Sequence, residues 1–247
     1  MRPNVIRVFT GGAPQRVFDH LLPAFEQKTG QSVDVLVRIV SEIQDLVIAG
    51  NHPDIIFLPE PLLVALGDRV ALREEGRGAL ARVGICMVVP DGTAVPDLSD
   101  EAAFCRVLRA ARTIVLADPR TPTGRHLASV FARLGLADEL AGRLINKGAI
   151  HGGGELVSSG GADLGLFLVS EAQHIPGVRL AGMLPITVQN YVVYGSAIPA
   201  TCTRVKAAMA LIDFLKGPEQ GDAWRAAGFE VLSIPETQTK KQGECHG

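Results

Sequence analysis

One run carries most of the chain's chemical promise: Ile114-Val115-Leu116-Ala117-Asp118-Pro119-Arg120-Thr121-Pro122-Thr123-Gly124-Arg125-His126. It reads as a buried strand, a tight turn, and the first turn of a helix that continues through Phe131. A helix start presents unpaired N–H groups and the positive end of the macrodipole, so it favours an anion. This one is dressed with two arginines, two threonines, a histidine and a glycine. Those residue types in that order predict a site for a small anion. Asp118-Pro119 hold the backbone of Arg120 at the strand's carboxyl end, which predicts a guanidinium aimed at that anion. The other reading is that Thr121 or Thr123 only caps the helix and the arginines sit in water.

The elements that must position this turn follow from the apolar pattern. Residues 5–9 read as a short buried strand, ended by Gly11, Gly12 and Pro14. A helix follows with Val17, Phe18, Leu21, Leu22 and Phe25 on one face. Pro23 is expected to bend it and Gly30 to stop it. Residues 33–37 and 55–57 read as further strands, with a helix from Ser41 between them. After a charged stretch at 69–82, residues 84–89 read as a strand. A second series covers 113–117, the helix from Thr123, the stretch 138–146, a helix after Gly152-Gly153-Gly154, and a strand at 164–168. Residues 189–194 read as a strand and 204–216 as a helix, and Pro218 opens another helix holding Trp224. After Pro235 the chain is polar and is expected to be disordered. Strands alternating with helices predict an α/β fold with right-handed crossovers.

Five motifs, in order, carry a family resemblance. They are Val8-Phe9-Thr10-Gly11-Gly12-Ala13, His52-Pro53-Asp54-Ile55-Ile56-Phe57, Cys86-Met87-Val88-Val89-Pro90, the run around Ala117-Asp118-Pro119, and Gly161-Ala162-Asp163-Leu164-Gly165-Leu166. Gly217-Pro218-Glu219-Gln220-Gly221 adds a helix-break motif near the C-terminal end. Together they resemble the solute-binding proteins of ABC transporters, of the molybdate-binding type. The resemblance implies the type 2 periplasmic-binding-protein fold: two lobes, each a mostly parallel sheet flanked by helices, with a ligand cleft between them. It places residues 1–83 and 187–235 in lobe 1, 84–186 in lobe 2, and 236–247 in a disordered tail.

Ligands of open α/β sheets sit at the carboxyl ends of the strands. Four loops are expected there: 10–13, 58–61, 120–126, and 168–170 together with 189–191. The molybdate-binding type typically has a serine in the first loop, another after the third strand, and a tyrosine in the strand of the fourth loop. This chain has Ala13, Leu58 and Leu168 there. An oxyanion held by neutral donors cannot lose that many and keep its affinity. Arg38, Arg120 and Arg125 take their place, and guanidinium forks suit planar carboxylates. The expected binding set is Thr10, Gly11, Gly12, Ala13, Arg38, Arg120, Thr121, Thr123, Arg125, Asn190 and Tyr191. The expected ligand is an organic di- or tricarboxylate rather than molybdate.

Composition narrows the partners. The 247 residues are 47% apolar with a formal net charge of −2, so no basic field invites nucleic acid. No apolar run is long enough to span a bilayer. The four cysteines, Cys86, Cys105, Cys202 and Cys245, show no zinc spacing and read as free thiols. No metal, cofactor or catalytic residue is assigned. The leading expectation is a monomeric solute-binding protein that closes on an anion about a hinge near Gly84 and 185–187, and serves an ABC permease. His126, His151 and the glutamates keep a second one open, since some relatives of the molybdate-binding type isomerise the tricarboxylate aconitate. A ligand-sensing module is the third. The compartment is the periplasm if a leader was removed, and the cytoplasm if Met1 is the native start.

Overall fold

Short apolar runs bounded by glycine and proline become strands, and runs with apolar residues every three or four positions become helices. The computed structural model describes residues 5–232, so the tail expected to be disordered lies outside the described residues. The first series is β1 Val5–Thr10, α1 Gln15–Thr29, β2 Ser32–Val37, α2 Val40–Ile48, β3 Ile55–Pro59 and α3 Glu60–Gly67. The second is β4 Gly78–Pro90, α4 Glu101–Ala110, β5 Ile114–Leu116, α5 Pro122–Arg133, α6 Ala137–Leu140, β6 Leu144–Asn146, α7 Gly153–Ser158, β7 Leu164–Leu168, α8 Val169–Ala172 and β8 Val178–Met183. The chain then closes with β9 Tyr191–Ala197, α9 Val205–Lys216, α10 Gly221–Ala226 and β10 Glu230–Val231.

α1 buries the five apolar side chains expected of it, and left-handed Gly30 stops it. Pro23 lies on the exposed face, and the helix continues past it. β4 starts six residues before the predicted position, at Gly78 rather than Gly84. Its first half breaks register between Ala79 and Ala81, with Leu80, Ala81 and Val83 buried and the Arg82 guanidinium stacked on the Tyr191 ring.

Strand order is β2-β1-β3-β9-β4 on one side and β4-β7-β5-β6 on the other, with β10 and β8 also on β4. Within each half the central pairs, β1 with β2 and β3, and β5 with β6 and β7, are parallel. The crossing strands β4 and β9 run antiparallel to their neighbours, because a chain that leaves a lobe must also return. β4 serves both halves. Residues 78–84 pair with β9, and residues 85–90 pair with β7 and β8.

At the crossing, Gln189 substitutes for a strand. Its side chain accepts from the Ile85 N–H and donates to the Ile85 carbonyl, both at 2.9 Å. The Ile85 N–H would otherwise lose its ladder partner where β9 begins at Tyr191, while the Ile85 carbonyl also accepts from the Leu184 N–H at 3.2 Å. Among the described residues no helix is long and apolar enough to cross a membrane.

Candidate functional site

The carboxyl ends of the strands converge on one cavity of about 190 Å³. β1 delivers Gly12 and β2 delivers Arg38, while β3 ends on Pro59. β5 leads to Asp118, Thr121 and Thr123, β6 to Asn146 and Lys147, and β7 to Leu168 and Glu171. Tyr194 and Val192 enter from β9, and Ile39, Val40, Ile150 and His151 complete the wall.

The turn after β5 is built around a cap. The Thr121 hydroxyl accepts from the Gly124 N–H at 3.1 Å and donates to the Asp118 carbonyl at 2.6 Å. Gly124 is required there, because a Cβ would lie 2.1 Å from that carbonyl oxygen. Thr121 is therefore the helix cap and also lines the cavity, with buried Thr123 beside it.

Arg120 does not line the cavity. Its guanidinium turns back onto Asp118, two residues earlier, with N–O distances of 2.9 and 3.1 Å. This contact holds the Asp118 carboxyl below the usual range, with a smaller contribution from nearby His151. Arg125 is exposed and donates to the Arg120 carbonyl. Asn190 and Tyr191 lie at the crossing, the first donating its N–H to Gln189 and the second stacked under Arg82. Ala13 is packed in the core, and Thr10 is fully buried with no partner for its hydroxyl. Gly11 backs the cavity, where a Cβ would meet Val40 and approach the Tyr194 hydroxyl. Of the expected set the cavity gathers Gly12, Arg38, Thr121 and Thr123.

Four chemically important residues were not in that set: Lys147, His151, Glu171 and Tyr194. Lys147 and Glu171 each follow the end of a strand, which is the signal that could have found them. Tyr194 lies inside β9 and gives no such signal. His126, the other histidine singled out, hydrogen-bonds the Val188 carbonyl at 2.9 Å and ties α5 to the crossing.

The charges around the cavity fall into two groups. Asp118 is neutralised by Arg120. The Arg38 guanidinium donates only to the Val37 carbonyl, and the Lys147 ammonium has no partner among the described residues. These two cations come from opposite halves of the molecule. Glu171 is half-buried and has no hydrogen-bond or ion-pair partner among the described residues. Burial pushes its carboxyl up to about 7. The same burial, with a smaller push from Glu171, raises the Cys86 thiol to about 12 and the Tyr194 phenol well above its ordinary value. Tyr194 is thus a neutral hydroxyl at any physiological pH.

The halves meet at this point. A Cβ on Gly12 would stand 2.2 Å from Ile150 Cδ1 and 3.7 Å from Glu171 Oε1. Glycine lets the first loop come this close to the opposite wall without displacing the end of Ile150.

A cleft at the carboxyl ends of two sheets that share a crossing strand defines the two-lobed, type 2 periplasmic-binding-protein fold. Residues 6–230 match the family described as bacterial extracellular solute-binding protein, and the chain belongs to that family. An aconitate isomerase of Pseudomonas sp is 24% identical over 237 residues, covering 93% of this chain and 88% of that protein. The molybdate-binding protein ModA of Escherichia coli (strain K12) is 21% identical over 229 residues, covering 92% and 89%. The solved periplasmic molybdate-binding protein of Azotobacter vinelandii superposes with a TM-score of 0.73 at 21% identity, covering 92% of this chain and all of that one.

Proposed function

We propose that the cleft reversibly binds a small organic carboxylate and that the protein presents it to an ABC permease outside the cytoplasmic membrane. The observation that carries this is the pair Arg38 and Lys147, one from each half, with no carboxylate partner among the described residues, set in a wall of Ile39, Val40, Pro59, Ile150, Leu168 and Val192. Two separated cations suit a ligand with two anionic ends. An apolar wall suits carbon between them and does nothing for a compact metal oxyanion, which needs donors on every side. Family membership supports the transport role.

Calorimetry against succinate, citrate, cis- and trans-aconitate, molybdate, tungstate and sulfate tests it. The expected result is a carboxylate that binds at least about tenfold tighter than any inorganic oxyanion. Molybdate or tungstate as the tightest ligand would overturn the carboxylate reading. Closure about the crossing near Gly84 is expected to shrink the radius of gyration when that carboxylate is added, measured by small-angle scattering.

A second reading is isomerisation of a tricarboxylate, favoured by the aconitate isomerase relative and by a carboxyl near 7 in the cleft, since proton shuttling works best near the ambient pH. Appearance of trans-aconitate from cis-aconitate in the proton NMR spectrum, absent with the Glu171→Gln variant, would establish it. An unchanged spectrum leaves binding alone.

A further inference from the structure

We propose that Glu171 is a ligand-binding residue that meets the bound anion as a neutral acid, donating an O–H···O hydrogen bond to it, so that capture takes up one proton. This rests on the carboxylate reading of the cleft and adds the state of the group that greets the ligand. Three observations support it.

Glu171 lines the same small cavity as Arg38 and Lys147, so an anion drawn in by those cations is brought against a carboxyl group. That carboxyl has nothing else to bind among the described residues. Gly12 lies beside it, with Oε1 3.7 Å from the position of an added Cβ, so the first loop and the carboxyl face the same space.

Two carboxylates sharing a cavity of about 190 Å³ cannot both stay charged without a cation between them. A proton held between them turns the repulsion into a charge-assisted hydrogen bond. The groups packed around Glu171 do not supply the missing cation. Cys86 on β4 is a neutral thiol, Tyr194 on β9 a neutral hydroxyl, and Asp118 after β5 is already paired with Arg120. Lys147 and His151 follow β6 and line the same cavity, the turn that carries His151 packing against α8, and Arg38 lies after β2, so each is placed to reach the ligand. His174, next along the chain from α8, is exposed and bonded to Gln173. The Tyr194 hydroxyl offers a second neutral donor to the same ligand. The free carboxyl near 7 means that the proton taken up is available from neutral solution.

The experiment is isothermal calorimetry of the full chain with trans-aconitate, at pH values above the ligand's last ionisation, in pairs of buffers with different ionisation enthalpies. If trans-aconitate does not bind, the tightest of the carboxylates named above replaces it, at pH values above its last ionisation. The proposal expects uptake of close to one proton per ligand at pH 8 and a dissociation constant that rises roughly tenfold per pH unit above about 7. In the Glu171→Gln variant, a neutral donor at every pH, uptake falls to zero and the affinity stays flat. Tight binding by the parent protein with no proton uptake and no pH dependence overturns the proposal and leaves the carboxylate reading standing. Proton uptake that persists in a folded Glu171→Gln protein also overturns it, by placing the proton on another group. Failure of every carboxylate to bind between about pH 6 and 9 overturns the carboxylate reading and this proposal with it.

Discussion

The first sheet has a hollow at each end, and the larger one has more of its groups bonded to the protein itself. At the amino ends of β1 and β2, a groove of about 650 Å³ is lined by Arg7, Asp34, His52, Asp54, Thr201, Cys202 and Arg204. The cleft at the carboxyl ends holds about 190 Å³. Both contain arginine, histidine and aspartate. In the groove most of these groups are engaged by the protein, the Asp34 carboxylate being without a partner among the described residues. The Arg7 N–H donates to Asp54 at 2.8 Å, His52 Nδ1 meets the Thr201 hydroxyl at 2.8 Å, Cys202 donates to Asp54, and Arg204 donates to the Val5 carbonyl. In the cleft, Lys147 and Glu171 are unspent and Arg38 serves one carbonyl. What marks a binding site is unused capacity, not volume.

The contrast can be broken most sharply by removing one cation from each hollow. Arg38→Ala or Lys147→Ala is expected to weaken carboxylate binding by at least about tenfold while leaving the melting temperature within a degree or two. Arg204→Ala is expected to do the reverse, leaving affinity intact and costing roughly 1 kcal/mol of stability through the lost Val5 contact. Calorimetry and thermal melts on the same samples read both effects. Equal behaviour of the two hollows would dissolve the distinction.

Next in size is the cost of Glu171 to the free protein. Its folded carboxyl lies near 7, above the ordinary value of 4.5. A carboxyl raised on folding gives stability that is complete below the unfolded value and is lost as pH rises through the folded one. Glu171→Gln is therefore expected to match the parent near pH 4 and to exceed it by about 1–3 kcal/mol at pH 8 and above. Urea melts at the two pH values check the sign. A variant less stable than the parent at pH 8 would show that the carboxyl has a stabilising partner.

A smaller effect is expected at the contact between the halves. Gly12→Ala forces a shift of Ile150, whose flexible end can give way. The expected cost is a several-fold loss of affinity, and Ile150→Ala in the same chain is expected to restore it. The smallest is Arg120→Ala, expected to change affinity less than about threefold, because its exposed guanidinium is already engaged by Asp118. A large loss would mean that Arg120 leaves Asp118 when ligand enters, and would return it to the binding set.

Local chemistry explains what the sequence made legible. The strand and helix alternation, the Gly12 loop, Arg38 at a strand end and the threonines at the start of α5 all follow from periodicity, turn residues and the strand-end rule. Arg120 turns from the cavity because a neighbouring aspartate two residues away competes for its fork, and spacing alone does not say which partner wins. β4 was shortened because a charged stretch conceals a half-strand whose Arg82 finds an aromatic ring and Glu230. Glu171 looks in sequence like any acid on a short helix. Its environment is assembled from Gly12, Cys86 and Tyr194, which are far from it along the chain.

The crossing has a modular side. Gly84 and Tyr191 are register partners, so the chain departs for the second half and comes back at adjoining backbone positions. A guest segment inserted at two neighbouring points leaves its host nearly undisturbed. Exchanging residues 85–190 for those of a relative would then replace Lys147, His151 and Glu171 together, as one cassette, in a host that keeps Gly12, Arg38 and Tyr194. Ligand choice in this fold could be recombined by halves, with the proton carried on one graft and a cation left on each.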